Sequence, residues 1–500
     1  MAIIAGSVSR SSTDRERTIM RNQLFIDGEW RPGRAGTFAT VDPATGKVIT
    51  DVAQASTADV DDAVAAAAAA RAYTAPSWAA MLPATRARLL NRLADLVEAH
   101  ADELALLETT DQGQPLGVAA GISVPNAVEH LRYYAGWATK ITGITAPLSI
   151  PDVDYRTRRE PLGVCALITP WNFPLTILTW KLAPALAAGN TVVVKPAEQT
   201  PLSTLRLAEL AAEAGFPPGV INVVPGGPDT GRALVAHPGI AKISFTGSTE
   251  VGREIGAAAG RALTRVSLEL GGKTPSIVTA DADIDAAVRG NIAGGTLNSG
   301  QVCAAYSRIY VDRRREAEFV DKLVAAARAI KVGPGRAADT QMGPLVSAEH
   351  LDRVHTLVRT GVAEGAELVT GGARAEGDLA DGYFYEPTVF TGVRQDMRIA
   401  REEIFGPVLS VLSYDDPEEI AGQANDSDFG LAAVVWSRDL ATANRLAAAV
   451  RAGTVYLNLP PMLDAAAAWG GMKASGIGRE MGWEAIAAYT EVKSIWTALT

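Results

Sequence analysis

The chain has only two cysteines, Cys165 and Cys303, in 500 residues. Two thiols without a CxxC pair exclude a disulfide framework and point to a reducing, cytoplasmic setting. Histidine is nearly as scarce, at five residues. Only His350 and His355 lie close together, and their spacing fits no metal site, so no metal is expected. No apolar run reaches the ~18 residues needed to span a bilayer. The opening Met1–Ala5 is too short for the apolar core of a signal peptide. Residues 1–20 read as a tail without fixed structure, with Met20 as an alternative start. An excess of positive charge is also missing. The formal charge is −10, which disfavours nucleic acid and anionic membrane as partners. The basic cluster Arg313-Arg314-Arg315 is followed by Glu316 and Glu318 and reads as a solvated helix face. The alanine run Ala63–Ala70 reads as a good helix former on a surface.

What is present is ordinary in bulk and specific in detail. The apolar fraction is 48% and the charged fraction 20%, as in soluble enzymes, and the length allows roughly three domains. Leu24–Trp30 reads as a hairpin around the type I′ turn signal Asp27-Gly28, and a second hairpin is expected around Asp42–Lys47. Helical patterns dominate from Thr57 to Lys140, and Ile144–Arg159 reads as an extended arm. From Gly163 apolar strands alternate with helices: Val164–Ile168, Thr191–Val194, Val220–Val224 and Ile243–Phe245. That rhythm implies a parallel sheet with covered faces, with ligands at the carboxyl ends of its strands. A second α/β block runs from about Thr274 to Leu463. Thr490–Trp496 alternates polar and apolar and reads as a strand with one dry face.

The chemistry-bearing residues fall at those strand ends. Cys303, in Asn298-Ser299-Gly300-Gln301-Val302-Cys303, sits in a loop or helix entrance where a thiolate is stabilised. Glu269, in Leu268-Glu269-Leu270-Gly271-Gly272-Lys273, supplies a carboxylate beside glycines that permit close backbone approach. A thiolate that forms an acyl intermediate and a carboxylate that activates water make a complete two-step chemistry. Asn172, in Pro170-Trp171-Asn172-Phe173-Pro174, stands on a stiffened turn where an amide can face a developing oxyanion. Lys195 and Glu198 project from a strand-to-helix loop capped by Thr200 before Pro201. They can hold the hydroxyls of a ribose, and the carboxylate repels a 2′-phosphate, which favours NAD over NADP. Gly247 permits a tight turn, and Ser248 at the following helix start can bond a phosphate. Glu403 and Phe405, in Glu402-Glu403-Ile404-Phe405-Gly406-Pro407, can hold and pack the nicotinamide half. Taken singly, each has a bland alternative: a buried inert thiol, a solvated Lys–Glu turn, an Asn closing its own turn.

Taken together and in order, these runs resemble the aldehyde dehydrogenase superfamily, joined by Gly470-Gly471-Met472-Lys473-Ala474-Ser475-Gly476-Ile477-Gly478-Arg479-Glu480. The resemblance spans about Leu24 to Trp496. It implies an α/β chain with a variant Rossmann NAD-binding domain (residues 21–140 and 161–271), an α/β catalytic domain (272–473) and a β arm (141–160 and 484–500) that builds dimers or tetramers. It implies Cys303 as nucleophile, Asn172 with the Cys303 backbone N–H as oxyanion hole, and Glu269 as base for deacylation. Lys195 and Glu198 would bind the adenosine ribose, Ser248 the pyrophosphate, and Glu403 with Phe405 the nicotinamide half. By the same analogy Phe173, Ile177, Trp180, Val302 and Leu463 line a substrate tunnel suited to an uncharged aliphatic or aromatic aldehyde. Asp464 beside it would favour a cationic aminoaldehyde if it faces inward. Trp469 and Met472 replace the more usual Phe and Tyr, which bears on substrate identity. The turn Val223–Pro228 is one residue tighter than usual, which bears on cofactor contacts. The expected reaction is NAD-dependent oxidation of an aldehyde to the acid. The rivals are a CoA-acylating semialdehyde dehydrogenase, which needs no water-activating base, an NAD-independent thiol esterase, and a silent binding protein.

Overall fold

A computed structural model describes residues 20–71 and 77–500 of the chain. All but the end of the expected tail therefore lies outside the described residues. Five apolar segments form parallel strands of one sheet, in the spatial order Ile221–Val223, Thr191–Lys195, Val164–Ile168, Ile240–Thr246, Arg265–Glu269. The two strands Val164–Ile168 and Thr191–Lys195 are buried at every residue, which is why they read as unbroken apolar runs. Strand order reverses between Val164–Ile168 and Ile240–Thr246. Loops leaving those two carboxyl ends diverge and open a crevice, the usual ligand position in such sheets. The hairpin Leu24–Ile26/Glu29–Arg31 extends one edge. Its turn has φ of 56° at Asp27 and 78° at Gly28, as a type I′ turn requires. At the other edge Gly476–Ile477 pairs with the end of Arg265–Glu269.

Only Leu270–Thr274 separates Glu269 from Pro275–Val278, the first strand of a second sheet. That sheet has the order Glu367–Thr370, Thr388–Thr391, Val408–Tyr414, Arg308–Asp312, Pro275–Val278, Ala432–Trp436, Thr454–Leu457, parallel except for its first strand. The junction thus carries the Leu-Glu-Leu-Gly-Gly-Lys run. Val153–Pro161 and Thr490–Ala498 pair as a separate two-stranded antiparallel ribbon. No helix among the described residues is long and apolar enough to cross a membrane.

Four expectations need adjustment. The alanine run is on the surface along one side only: Ala65, Ala68 and Ala69 are exposed, but Ala63, Val64 and Ala67 are buried in the helix Thr57–Arg71. Small side chains let that helix lie close to the sheet, and the Thr191 hydroxyl donates to the Ala67 carbonyl at 2.8 Å. The last strand has no dry face within the chain, since only Thr490 is buried; a two-stranded ribbon lacks a covering layer. Thr200 does not cap the next helix. That helix is Leu202–Ala214, and its first N–H donates to the Asp111 carboxylate at 2.9 Å. The cap comes from a distant helix, beyond the reach of a local pattern. Finally, Arg313 to Arg315 open with a 3₁₀ turn before the helix Glu316–Arg328. Each of the three pairs with an acid, Asp415, Asp312 and Glu318 respectively, so of the two acids that follow in sequence only Glu318 helps to neutralise the cluster.

Candidate active site

The crevice at the strand-order reversal is a cleft of about 810 Å³ lined by Thr169, Pro170, Lys195, Glu198, Gly247 and Ser248, among others. It shares Pro170, Trp171, Gln199, Thr246, Gly247 and Ser248 with a second cavity of about 510 Å³. The second cavity also meets Asn172, Gly271, Cys303, His350, Glu403 and Phe405. Residues that follow strands of both sheets therefore face two adjoining spaces with shared walls.

In the larger cleft the Lys195 ammonium is buried and lies 3.5 Å from a Glu198 oxygen. Burial pushes its pKa down, and Glu198 partly offsets this. The Thr169 hydroxyl is buried without a partner on the same wall. Ser248 caps the helix Thr249–Ala262, its Oγ accepting from Val251 N–H at 3.3 Å. Free N–H groups of that first turn, with the positive end of the helix dipole, face the space between the cavities. Gly247 is needed for room and not for backbone freedom: a Cβ there would lie 2.5 Å from the Phe245 ring, and its φ is not positive.

Cys303 follows a segment under strain. Asn298, Ser299 and Gly300 have φ of 48°, 59° and 72°, a left-handed run that L-residues rarely adopt. Buried hydrogen bonds hold it there. Asn298 Nδ2 donates to the Asn172 carbonyl at 2.7 Å, and Asn172 Nδ2 returns a bond to the Gln301 carbonyl at 2.9 Å. Ser299 Oγ donates to the Gly343 carbonyl at 2.7 Å, and Gln301 Oε1 accepts from Val346 N–H at 2.9 Å. The Asn172 amide is thus tied to the cysteine loop itself and does not close its own turn. Cys303 is partly exposed to the cavity. It follows the short 3₁₀ turn Leu297–Gly300 and lies in a loop, not at a helix N-terminus, the first of the two placements expected. Burial, then the charges of Glu403 and Glu269, push its thiol up to about 12, against backbone N–H groups of Cys303 and Ala304 that favour the thiolate.

Glu269 ends its strand in a buried position, with neither carboxylate oxygen hydrogen-bonded. Burial raises its pKa well above the usual carboxylate range, Glu480 raises it further, and Lys181 and Arg479 oppose. Glu403 presses against the double glycine: its Oε1 accepts from Gly272 N–H at 2.9 Å, and a Cβ on Gly271 would sit 2.3 Å from its Oε2. Burial lifts Glu403 to about 7. Ile177 and Trp180 are buried in one apolar cluster, against which Phe173, Val302 and Cys303 pack. Leu463 stands apart, 43% exposed, on a rim loop whose Met462 carbonyl accepts from the Tyr456 hydroxyl at 2.6 Å. The Asp464 charge reaches His130, whose ring lies 5.8 Å from Trp180.

The sequence reading gave no role to two contributors. Lys181 forms a buried ion pair with Glu480 and also donates to Thr246 Oγ1 at 2.7 Å, directly behind the strand ends. A lysine inside the wholly buried helix Pro174–Ala188 was the available signal. His350 forms an aromatic cluster with Trp171 and Phe405; its only mark was the rarity of histidine.

The comparisons with known proteins agree in extent and kind. The aldehyde dehydrogenase family matches residues 30–495. Retinal dehydrogenase 2 of Mus musculus is 48% identical over 483 residues, 95% of this chain and 92% of that protein. Phenylacetaldehyde dehydrogenase of Pseudomonas fluorescens is 47% identical over 482 residues, 95% of each. Among solved structures, the NAD+ complex of an aldehyde dehydrogenase from Bacillus cereus superposes with a TM-score of 0.95 at 46% identity, covering 99% of this chain and 100% of that one. With its fold, its strand-end residues and its nearly full-length relatives in accord, the chain belongs to the aldehyde dehydrogenase family.

Proposed function

We propose that the chain oxidises an aldehyde to its carboxylic acid with NAD, through a thioester on Cys303 that Glu269 helps hydrolyse. The observation that carries this is the single cavity bringing Cys303 and Asn172 together with Glu403 and Phe405, adjoining the cleft of Lys195 and Glu198. Residues 21–140 and 161–271 then serve as the cofactor domain, 272–473 as the catalytic domain, and 141–160 with 484–500 as an arm that joins copies of the chain.

The donor set fits a dinucleotide. Lys195 and Glu198 would hold the adenosine ribose. The helix start at Ser248 would take the pyrophosphate, and Glu403 with Phe405 the nicotinamide half. The partnerless Thr169 hydroxyl on the cleft wall leaves a polar group for it. Glu198 beside the ribose disfavours an added 2′-phosphate, hence NAD over NADP. When bound, the nicotinamide supplies a hydride acceptor.

The chain's own residues do the rest. Cys303 Sγ forms a bond to the carbonyl carbon, and its proton leaves to solvent. The carbonyl oxygen takes up the negative charge beside the Cys303 backbone N–H and the second N–H of the Asn172 amide, whose first is committed to Gln301. One preorganised donor of this kind is worth about 2.7–4 kcal/mol in a dry site. After oxidation a thioester remains. Glu269 takes a proton from water, the resulting hydroxide adds to the acyl carbon, the C–S bond breaks and the acid departs. A CoA-acylating enzyme would have no use for a base with both oxygens free, and that favours water as the acyl acceptor. Ile177 and Trp180 would line the substrate path, and their apolar side chains suit an uncharged aliphatic or aromatic aldehyde. Asp464, close enough to act on His130 beside Trp180, adds amino-substituted aldehydes to the set worth assaying.

The test is Cys303→Ala. It should abolish both NADH formation from aldehydes and hydrolysis of activated esters, while calorimetry still registers NAD. Undiminished turnover would overturn the reading. Ester hydrolysis by the wild type with no aldehyde oxidation would point to the esterase alternative.

A further inference from the structure

Phe405 is among the few non-glycine residues with a left-handed backbone, φ 60°. Something must hold it there. Its carbonyl accepts a hydrogen bond from His350 Nε2 at 2.7 Å. Two residues earlier, the Glu403 carbonyl accepts from Arg353 Nη2 at 2.9 Å. His350 and Arg353 are three apart in the first turns of the helix Ala348–Ala363, and so lie on one face of it. That helix start is itself anchored. Ser347 Oγ accepts from His350 N–H at 3.1 Å, and Val346 N–H donates to Gln301 Oε1, two residues before Cys303. The ring of His350 lies 5.1 Å from Trp171 and 6.0 Å from Phe405, while Trp171 and Phe405 are 5.2 Å apart, all edge-on. All three aromatic residues line the cavity that Cys303 faces.

We propose that this helix start is a clamp, in which His350 and Arg353 grip the Phe405 and Glu403 carbonyls and so position the nicotinamide half of the cofactor relative to Cys303. The proposal rests on the function argued above. His350 acts here as a positioning residue, through the backbone it holds. A carbonyl only accepts, so Nε2 carries the proton. Burial pushes the imidazole down to about 4, so the ring is neutral at pH 7 and donates steadily. The clamp couples the cysteine loop, through Gln301, to the segment that would hold the nicotinamide ribose. A disturbance at His350 should therefore be felt at the nicotinamide end and not at the adenosine end.

That asymmetry is the test. His350→Phe keeps a ring in place and removes the donor. His350→Gln restores an N–H donor without a ring. Arg353→Met removes the second grip from an exposed position, where folding is not at stake. Calorimetric affinities for ADP, which carries only the adenosine half, and for NADH are compared across the four proteins. In His350→Phe and Arg353→Met, NADH should weaken roughly five- to ten-fold, the loss expected for one hydrogen bond, with ADP unchanged. His350→Gln should recover most of the NADH affinity. The single-turnover rate of NADH formation should fall in the same order. Equal weakening of ADP and NADH would reduce His350 to a structural residue, and unchanged NADH affinity in both variants would remove the clamp altogether. If the wild type binds neither ligand, the parent reading fails instead.

Discussion

At the scale of single residues, the most consequential is Glu269. It is buried, both its oxygens lack hydrogen bonds, and its pKa is displaced upward first by desolvation and then by Glu480. A carboxylate so placed is a better base than one in water, since its conjugate acid is weaker. The same displacement is a stability statement. The folded pKa lies above the unfolded one, so the contribution is fully present below the unfolded value and is lost as pH rises through the folded value. Glu269→Gln cannot ionise and is spared that loss. Melting temperatures of wild type and Glu269→Gln, taken from pH 5 to 9, should therefore diverge with rising pH in favour of the variant. The gap should open by on the order of 1–3 kcal/mol, the range for a buried polar group left unsatisfied. The variant should still form a first equivalent of NADH, then stall. A gap that stays flat with pH would mean that the fold does not displace the Glu269 pKa from its unfolded value, and would contradict the upward shift.

At the scale of elements, the strained loop before Cys303 is the part most sensitive to small changes. Gly300 has a left-handed φ, and a Cβ there would stand 2.1 Å from the Gly406 carbonyl oxygen. Gly300→Ala must push the cysteine loop and the Phe405 segment apart. The strain alone should destabilise by about 1–3 kcal/mol, and the displaced nucleophile should lower kcat/KM roughly a hundred-fold. Full activity with an unchanged melting temperature would contradict this picture. The case also shows what a sequence can and cannot give. The alternation of strand and helix from Val164 onward was legible because burial on both faces leaves continuous apolar runs ended by Gly, Pro and polar residues. The strand-end motifs were legible for the same reason, since chemistry collects where the strands stop. What could not be read were partnerships across the chain. Asp111 caps Leu202, Asn298 holds Asn172, Glu480 acts on Glu269, and His350 grips Phe405. No local period encodes such pairs. The mistaken cap at Thr200 and the unforeseen buried side of Ala63–Ala70 share that cause: each residue type suited its local context, but tertiary packing decided its use.

At the scale of the whole molecule, the ribbon of Val153–Pro161 and Thr490–Ala498 has nine register pairs and almost nothing above or below it. Ile144, Ile150, Val492, Trp496 and Leu499 are 49–65% exposed on or beside it. A two-stranded ribbon is marginal in water; Ile144 and Thr145 bond part of its Val153–Pro161 edge, and the edge along Thr490–Ala498 is a template for further strands. It is firmly rooted, since Asn190 Nδ2 donates to the Tyr489 carbonyl at 2.9 Å and Arg265 pairs with Glu491 at 2.6 Å. A rooted ribbon that leaves Val492 and Trp496 uncovered is explained if a second copy of the chain covers it, sheet edge to sheet edge. The wild type should then elute with a light-scattering mass of two or four times 52.3 kDa. Val492→Lys with Trp496→Lys should shift that mass toward a single chain, because like charges would face each other across the two-fold. The melting temperature should fall as well, and the wild type's own melting temperature should rise with protein concentration, as association demands. A wild type that scatters as a single chain at micromolar concentration would leave the ribbon uncovered and this account of it wrong.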